Sequence, residues 1–397
     1  MDHLIFGSDF MTLLLCIIYL GFVALGLPDS LFGTAWPILQ PQLDVPLSFA
    51  GFVTMTISGG TILASLLSDR LTYRFGAAKV TAFSVLATAL ALLGFSKATA
   101  FWQLVACAVP LGLGAGAVDA ALNNYVALHF SSRHMSWLHC FWGVGASISP
   151  YIMGFWLSRD LRWDRGYLTV GCILAVMSVL LFVSLPLWKS GDTNSEETQR
   201  TAPKTLRQIA ALPGIFYVLF GFFAYCAIEG IAFVWTSSYL VRERAVSAES
   251  AARFASLFYL GMTFSRFVMG FFADRLGDKR SIYLGYALCF AGLILTVLPG
   301  LPVWVCLAGL LIAGFGCGPI YPSIIHATPD VFGKENSQAV VGVQMAAAYT
   351  GTTFMPPLFG VIANRFSLSL FPLFLLGFAV LGFGFIRLLY QKRAVSC

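Results

Sequence analysis

Charged side chains are scarce. They make up 11% of the 397 residues against 58% from the hydrophobic set, and the mean hydropathy is +0.82. A water-soluble domain carries roughly 25% charged residues to keep its surface wet. A chain with less than half that share must turn its flanks to lipid, which excludes soluble enzymes and nucleic-acid readers. The net charge of +6 sits in short loops and forms no basic stripe. No CxxC or mixed Cys/His ligand spacing occurs, so neither a metal site nor a disulfide framework is expected. Cys16, Cys107, Cys172, Cys226, Cys289, Cys306 and Cys317 lie inside apolar runs, where a thiol behaves as a small hydrophobe. A GxxxxGK[ST] phosphate loop is also missing, so the chain is not expected to draw on ATP. Lys and Arg are absent from the first 69 residues, and the first apolar run is too long for a cleavable leader. It is expected to stay as a membrane span.

Apolar runs near the 20 residues that a spanning helix needs occur twelve times: 11–38, 47–67, 78–96, 101–128, 136–158, 167–188, 213–240, 252–273, 281–299, 302–325, 337–362 and 368–390. The expected fold is an all-α polytopic membrane protein. With both termini cytoplasmic, 15 basic residues fall on the inner side and 7 on the outer, with Arg253 and Arg266 inside the eighth span. That bias obeys the positive-inside rule. Residues 189–212 are polar and rich in Ser and Thr. They are expected to link an N-terminal six-helix bundle, 1–188, to a C-terminal one, 213–397.

The halves echo each other. Gly270-Phe-Phe-Ala-Asp274-Arg275-Leu-Gly277-Asp278-Lys279-Arg280 follows the eighth span. Ser65-Leu-Leu-Ser-Asp69-Arg70, with Arg74, Gly76 and Lys79 beyond it, follows the second. These segments resemble the G-x3-D-R/K-x-G-R/K-R/K signature of the major facilitator superfamily; the first copy has Ser for Gly and an inserted stretch before Gly76. The resemblance implies two bundles related by a pseudo-two-fold axis along the membrane normal, around a central cavity. It also implies a conformational latch made of Asp69, Arg70, Gly76, Gly270, Asp274, Arg275 and Gly277. Arg266 is eight residues before Asp274 on nearly the same helix face, and is read as part of that latch, with a substrate-anion clamp as the alternative.

Four segments are similar to the fucose–proton symporter branch and related sugar carriers. They are Leu27-Pro28-Asp29-Ser30, Gly116-Ala-Val-Asp119-Ala-Ala-Leu-Asn123-Asn124-Tyr125-Val126, Tyr225-Cys-Ala-Ile-Glu229-Gly230 and Gly318-Pro319-Ile320-Tyr321-Pro322. The branch pattern has Glu where Asp119 stands and Pro where Asn124 stands. Asp29 and Asp119 match the branch's two carboxylates associated with proton and substrate coupling.

The residues themselves point the same way. Asp29, Asp119 and Glu229 are the acidic groups deep in apolar spans, where an ionisable group costs about 2.5–3.5 kcal/mol on insertion scales and marks a function by default. Either Asp could instead be a protonated helix-packing group. Glu229 has three readings: proton coupling, sugar binding or pairing with another helix. Asn123, His139, Trp142, Tyr225, Tyr321 and Gln344 supply the hydrogen bonds and aromatic faces that suit a sugar. They are also the polar glue of membrane helices, and His139 could be a gate. Gly112-Leu-Gly114-Ala-Gly116-Ala117 fits a dinucleotide fingerprint, but it lies mid-span and reads as a small-residue packing stripe with Ala120.

The expectation is a secondary active transporter, not an enzyme. Its task is proton-coupled uptake of a sugar or sugar-like solute by alternating access, in the cell (inner) membrane, as a monomer. No organic cofactor is expected; the coupling ion is a proton, with sodium the open alternative. A proton-antiport exporter of drugs or metabolites and a non-transporting solute sensor are the competing readings.

Overall fold

Glycine and proline punctuate a chain that is otherwise built to be helical. The computed structural model describes residues 2–159, 162–192, 202–298 and 300–396. The first apolar run is broken at Leu27–Ser30 into α1 (Asp2–Gly26) and α2 (Leu31–Gln42). Pro28 cannot donate to the helical ladder and its ring crowds the preceding turn. The break closes as short turns instead: Asp29 N donates to Gly26 O at 3.2 Å and Leu31 N to Pro28 O at 3.2 Å. Then follow α3 (Ala50–Phe75), α4 (Ala77–Phe95), α5 (Phe101–His129), α6 (Ser132–Leu157) and α7 (Trp163–Val183). Short helices α8 (Leu185–Asp192) and α9 (Leu206–Ala210) occupy the two ends of the expected linker, whose residues 193–201 lie outside the described residues. The second half carries α10 (Ile215–Arg244), α11 (Ala248–Leu276), α12 (Asp278–Val297), α13 (Val303–His326), the short α14 (Thr328–Phe332), α15 (Lys334–Arg365) and α16 (Phe371–Ser396).

Among the described residues, 10 stretches are long and apolar enough to span a membrane, α1 and α2 counting as one. The other two expected spans correspond to α6 and α15, which at 26 and 32 residues are easily long enough. They are less apolar because polar side chains run along them, among them His139, Ser149, Gln338 and Gln344, and all but Gln338 are fully or nearly fully buried.

The chain separates into two compact units. One holds Met1–Tyr125, Leu138–Lys204 and Lys334–Gly342; the other holds Val126–Trp137, Thr205–Gly333 and Val343–Cys397. The end of α5, the turn after it and the start of α6 belong to the second unit. The start of α15 belongs to the first.

Each unit packs by the same device. In the first, α3 and α5 approach until the positions of Gly112 and Gly116 touch the backbone of Ile57 and Thr61. The Thr61 hydroxyl donates to the Gly112 carbonyl at 3.1 Å. In the second, Gly314 and Gly318 of α13 lie against Phe258 and Met262 of α11 in the same register. Gly26 of α1 meets the Trp142 carbonyl of α6, and Gly145 meets that of Val23. Gly230 of α10 and Thr352 of α15 repeat this contact in the second unit. The small-residue stripe at Gly112 and Gly116 is therefore a helix contact.

A methyl at Gly116 would overlap the Thr61 backbone, whereas one at Gly384 of α16 would meet nothing within 4 Å. Gly116→Ala is expected to lower stability by about 1–3 kcal/mol through overpacking. Gly384→Ala should be neutral or stabilising, because Ala is the better helix former by ~1 kcal/mol. Thermal melts of the two purified variants check this.

Candidate functional site

In the first unit α5 and α6 build a buried polar chain. Asp119 and Asn123 are one turn apart on α5, so the Asn123 amide reaches back and donates to Asp119 Oδ1 at 2.7 Å. Asn123 Oδ1 in turn lies 3.0 Å from His139 Nε2. Relative exposures are 3% for Asp119, 0% for Asn123 and 5% for His139. The direction of the bonds fixes the histidine. With its NH2 turned to Asp119, Asn123 offers His139 only a carbonyl oxygen, so Nε2 must carry a proton. The Phe22 ring holds the imidazole edge-on, with centroids 5.3 Å apart.

Asp29 stands in the break between α1 and α2, and the Trp142 indole N–H donates to its Oδ2 at 2.9 Å. The glycine contacts at Gly26 and Gly145 make this possible, because they bring α1 and α6 together at that level. Asp29 is an exposed residue at the helix break, unlike Asp119 and Glu229. It is still close enough to Asp119 for the two carboxylates to interact electrostatically. Asp29, Trp142, Asp119, Asn123 and His139 therefore form one neighbourhood.

The second unit has its own cluster on α10, α11 and α13. Arg266 Nη2 donates to Glu229 Oε1 at 3.2 Å, and the two side chains are 2% and 13% exposed. Tyr259 donates its hydroxyl to the Glu229 carbonyl at 3.0 Å, and Tyr225 donates to the Cys317 carbonyl at 2.9 Å. Tyr225 and Tyr321 rings pack 6.2 Å apart, and the Tyr321 hydroxyl lies 3.1 Å from the Met345 sulfur. Gln344 accepts from the Thr328 hydroxyl at 3.0 Å, and its Nε2 makes no hydrogen bond among the described residues. The placement of Arg266 beside Asp274 is corrected here. Eight residues are about 12 Å of helix rise, and the guanidinium turns instead to the buried carboxylate on the neighbouring helix.

The two loop motifs share a backbone. Gly76 and Gly277 have φ of +79° and +73° with ψ of 153° and 158°, a region open essentially to glycine alone. Each ends one helix and starts the next. Their carboxylates differ. Asp274 accepts from the Arg133 N–H at 2.9 Å and the Ser131 hydroxyl at 3.0 Å, and so caps the start of α6. Asp69 accepts from the Lys204 N–H at 2.9 Å, at the end of the linker. The stretch inserted before Gly76 is one extra turn of α3. Gly270 is occupied by contact: the Trp137 indole lies where its Cβ would be. Arg70 and Arg275 are exposed and form no salt bridge among the described residues.

The sequence reading missed Tyr259, Ser131, Asp278 and His326. Only Asp278 carried a signal, as the residue after the motif glycine. The others acquire partners through tertiary contact.

The description Major Facilitator Superfamily fits residues 18–257 and again 217–396, so nearly the whole chain is matched, in two overlapping copies. The Bypass of stop codon protein 6 of Saccharomyces cerevisiae is 24% identical over 89% of this chain and 77% of its own length. The Hexuronate transporter of Bacillus subtilis is 25% identical over 91% and 89%. The Cis,cis-muconate transport protein of Acinetobacter baylyi is 23% identical over 87% and 84%. Among solved structures, the fucose:proton symporter FucP of E. coli matches with a TM-score of 0.77 at 14% identity, covering 95% of this chain and 98% of that one. The proton:xylose symporter XylE matches with a TM-score of 0.77 at 12% identity, over 97% and 96%. At such identities the structural likeness speaks for the fold alone. The chain belongs to the Major Facilitator Superfamily: it is an all-α, multi-pass membrane transporter of small-molecule solutes with twelve spans in two six-helix halves, and not an enzyme.

Proposed function

We propose that this transporter takes up a sugar or sugar-like solute together with protons, by alternating access. The observation that carries the reading is the neighbourhood around Asp119. A buried carboxylate is held by an amide that is itself oriented by a histidine, and a second carboxylate sits nearby on an indole N–H. Asp119 and Asp29 are the proposed proton carriers, with Glu229 as a third candidate. A proton taken up by one carboxylate removes a repulsion from the other, so loading and solute binding can be linked. Trp142 offers the aromatic plane, and Asn123 and His139 the hydrogen bonds, that a sugar ring and its hydroxyls require. Tyr225, Tyr321 and Gln344, in the second unit, are also proposed as solute contacts. The coupling ion is a proton and no organic cofactor takes part. The chain works as a monomer in the cell membrane with both termini cytoplasmic.

A sugar acid is the second reading. The relatives named for hexuronate and cis,cis-muconate handle acids, and the buried Arg266 could answer a solute carboxylate. A thermal-shift screen of neutral sugars and sugar acids against the purified protein, followed by counterflow with each hit, separates the two. Stabilisation and counterflow by a neutral sugar support uptake of sugars. Hits confined to acids shift the solute class. Movement of the hit outward against an inwardly directed proton gradient would make the protein an exporter.

Asp274 is proposed to act as a latch. Asp274→Ala removes the acceptor of the Arg133 N–H and the Ser131 hydroxyl. Transport rate is expected to fall strongly while solute affinity changes by less than tenfold, or ~1.4 kcal/mol. Equal loss of binding and transport would mean that the loop only holds the fold.

A further inference from the structure

His326, the last residue of α13, bridges two acceptors. Its Nδ1 is 2.7 Å from Asp278 Oδ2 at the start of α12, and its Nε2 is 3.0 Å from the carbonyl oxygen of Phe130, just past the end of α5. Asp278 Oδ1 also accepts from the Ser132 hydroxyl, the first residue of α6, at 2.6 Å. The ring and the carboxylate are 16% and 13% exposed. A carbonyl oxygen can only accept, so Nε2 carries a hydrogen. The contact with Asp278 then needs a second one. With neutral imidazole and ionised carboxylate, two lone pairs would face each other at 2.7 Å. A proton must lie between Nδ1 and Oδ2, which makes the ring an imidazolium beside a carboxylate.

We propose that Asp278 and His326 form a proton-binding site, separate from the carboxylates at Asp29, Asp119 and Glu229, whose proton fastens the turn Phe130–Arg133 to the α12 and α13 ends. Burial of the ring disfavours a bound proton, and against it act, among the described residues, the charges of Asp278 and, from α14, Asp330. Both favour a bound proton. On the α6 side Arg133 is taken by Asp274 at 3.3 Å and by His134 at 3.2 Å. It therefore does not compete for Asp278. The fastening is complete while the proton is bound and loosens as pH rises and the proton leaves. Unprotonated, the imidazole keeps a single hydrogen, so it loses its bond either to Asp278 or to the Phe130 carbonyl and one end of the bridge opens. The site depends neither on the identity of the solute nor on which carboxylate couples transport.

The test uses the full chain in lipid nanodiscs with 15N-labelled histidine. The His326 signals are assigned by their loss in His326→Gln. Should that variant not fold, the other four histidines, His3, His129, His134 and His139, are replaced so that His326 alone remains. At pH 7 both ring nitrogens of His326 are expected to carry hydrogen. On raising the pH one becomes bare, and over the same interval hydrogen exchange at residues 130–133 accelerates beyond its intrinsic pH dependence. In Asp278→Ala, which removes the acceptor of both His326 and Ser132, one nitrogen should be bare already at pH 7, with exchange at 130–133 at least severalfold faster than in the parent. A bare nitrogen on His326 at pH 7 in the parent protein overturns the proposal. So does loss of the proton with no change in protection of the turn.

Discussion

Asp119→Asn should keep counterflow close to the parent rate and lose uptake driven by a pH gradient. Asn imitates a permanently protonated Asp in size and charge. The Asn123 amide, which donates to Asp119 Oδ1 at 2.7 Å, would find an amide oxygen in the same place. The buried chain to His139 is thereby preserved, and the packing of α5 with it. Counterflow cycles the loaded carrier and needs no proton release, so it survives. Uphill uptake requires release in every cycle, so it should drop to the level of empty vesicles. The competing roles give different patterns. A purely structural Asp119 leaves both activities near the parent level. A solute ligand that carries no proton loses both together. Retained gradient-driven uptake would remove Asp119 from the coupling role and pass it to Asp29.

The second large effect is one of stability. Arg266 and Glu229 are 2% and 13% exposed, and neither can lose its partner cheaply. Breaking a buried pair leaves an uncompensated charge and costs about 3–5 kcal/mol, whereas replacing both members with apolar groups of similar size is often neutral. Glu229→Leu and Arg266→Met are each expected to melt far below the parent. The double variant Glu229→Leu, Arg266→Met should recover most of the loss. Arg133 and Asp274 make the contrast, since an ion pair whose side chains are 52% and 36% exposed is worth little. If the single variants and the double variant melt alike, the two side chains are not energetically coupled. A double variant that folds but no longer counterflows would give the pair a role in the transport cycle beyond holding α10 to α11.

Much of this fold is legible in the sequence, because its signals are local. Apolar run length gives the spans, and Pro28 in Leu27-Pro28-Asp29-Ser30 marks the broken first helix. Gly76 and Gly277 mark two turns that share one backbone conformation. The bond from Asn123 to Asp119 is legible too, since both residues lie on one helix at a spacing of one turn. Contacts between helices are not. Asp29 meets Trp142 where Gly26 and Gly145 let α1 and α6 approach, and Asn123 meets His139 across the consecutive helices α5 and α6. Helical periodicity aligned Arg266 with Asp274, yet a buried charge is drawn by the nearest opposite charge, and that was Glu229 on another helix. The same limit applies to His326, whose partners come from the starts of α12 and the α5–α6 turn. The polar faces of α6 and α15 lower their hydropathy, so the composition that makes these helices useful also hides them as spans.

Proton movement caused by the solute itself tests the central claim most directly. The purified chain is reconstituted into vesicles holding a pH-sensitive dye, with no pH gradient imposed, and a solute active in counterflow is added outside. The account predicts that the lumen acidifies as the solute enters, and that Asp119→Asn abolishes the acidification while counterflow continues. Solute entry in the parent protein with no change in internal pH would contradict it.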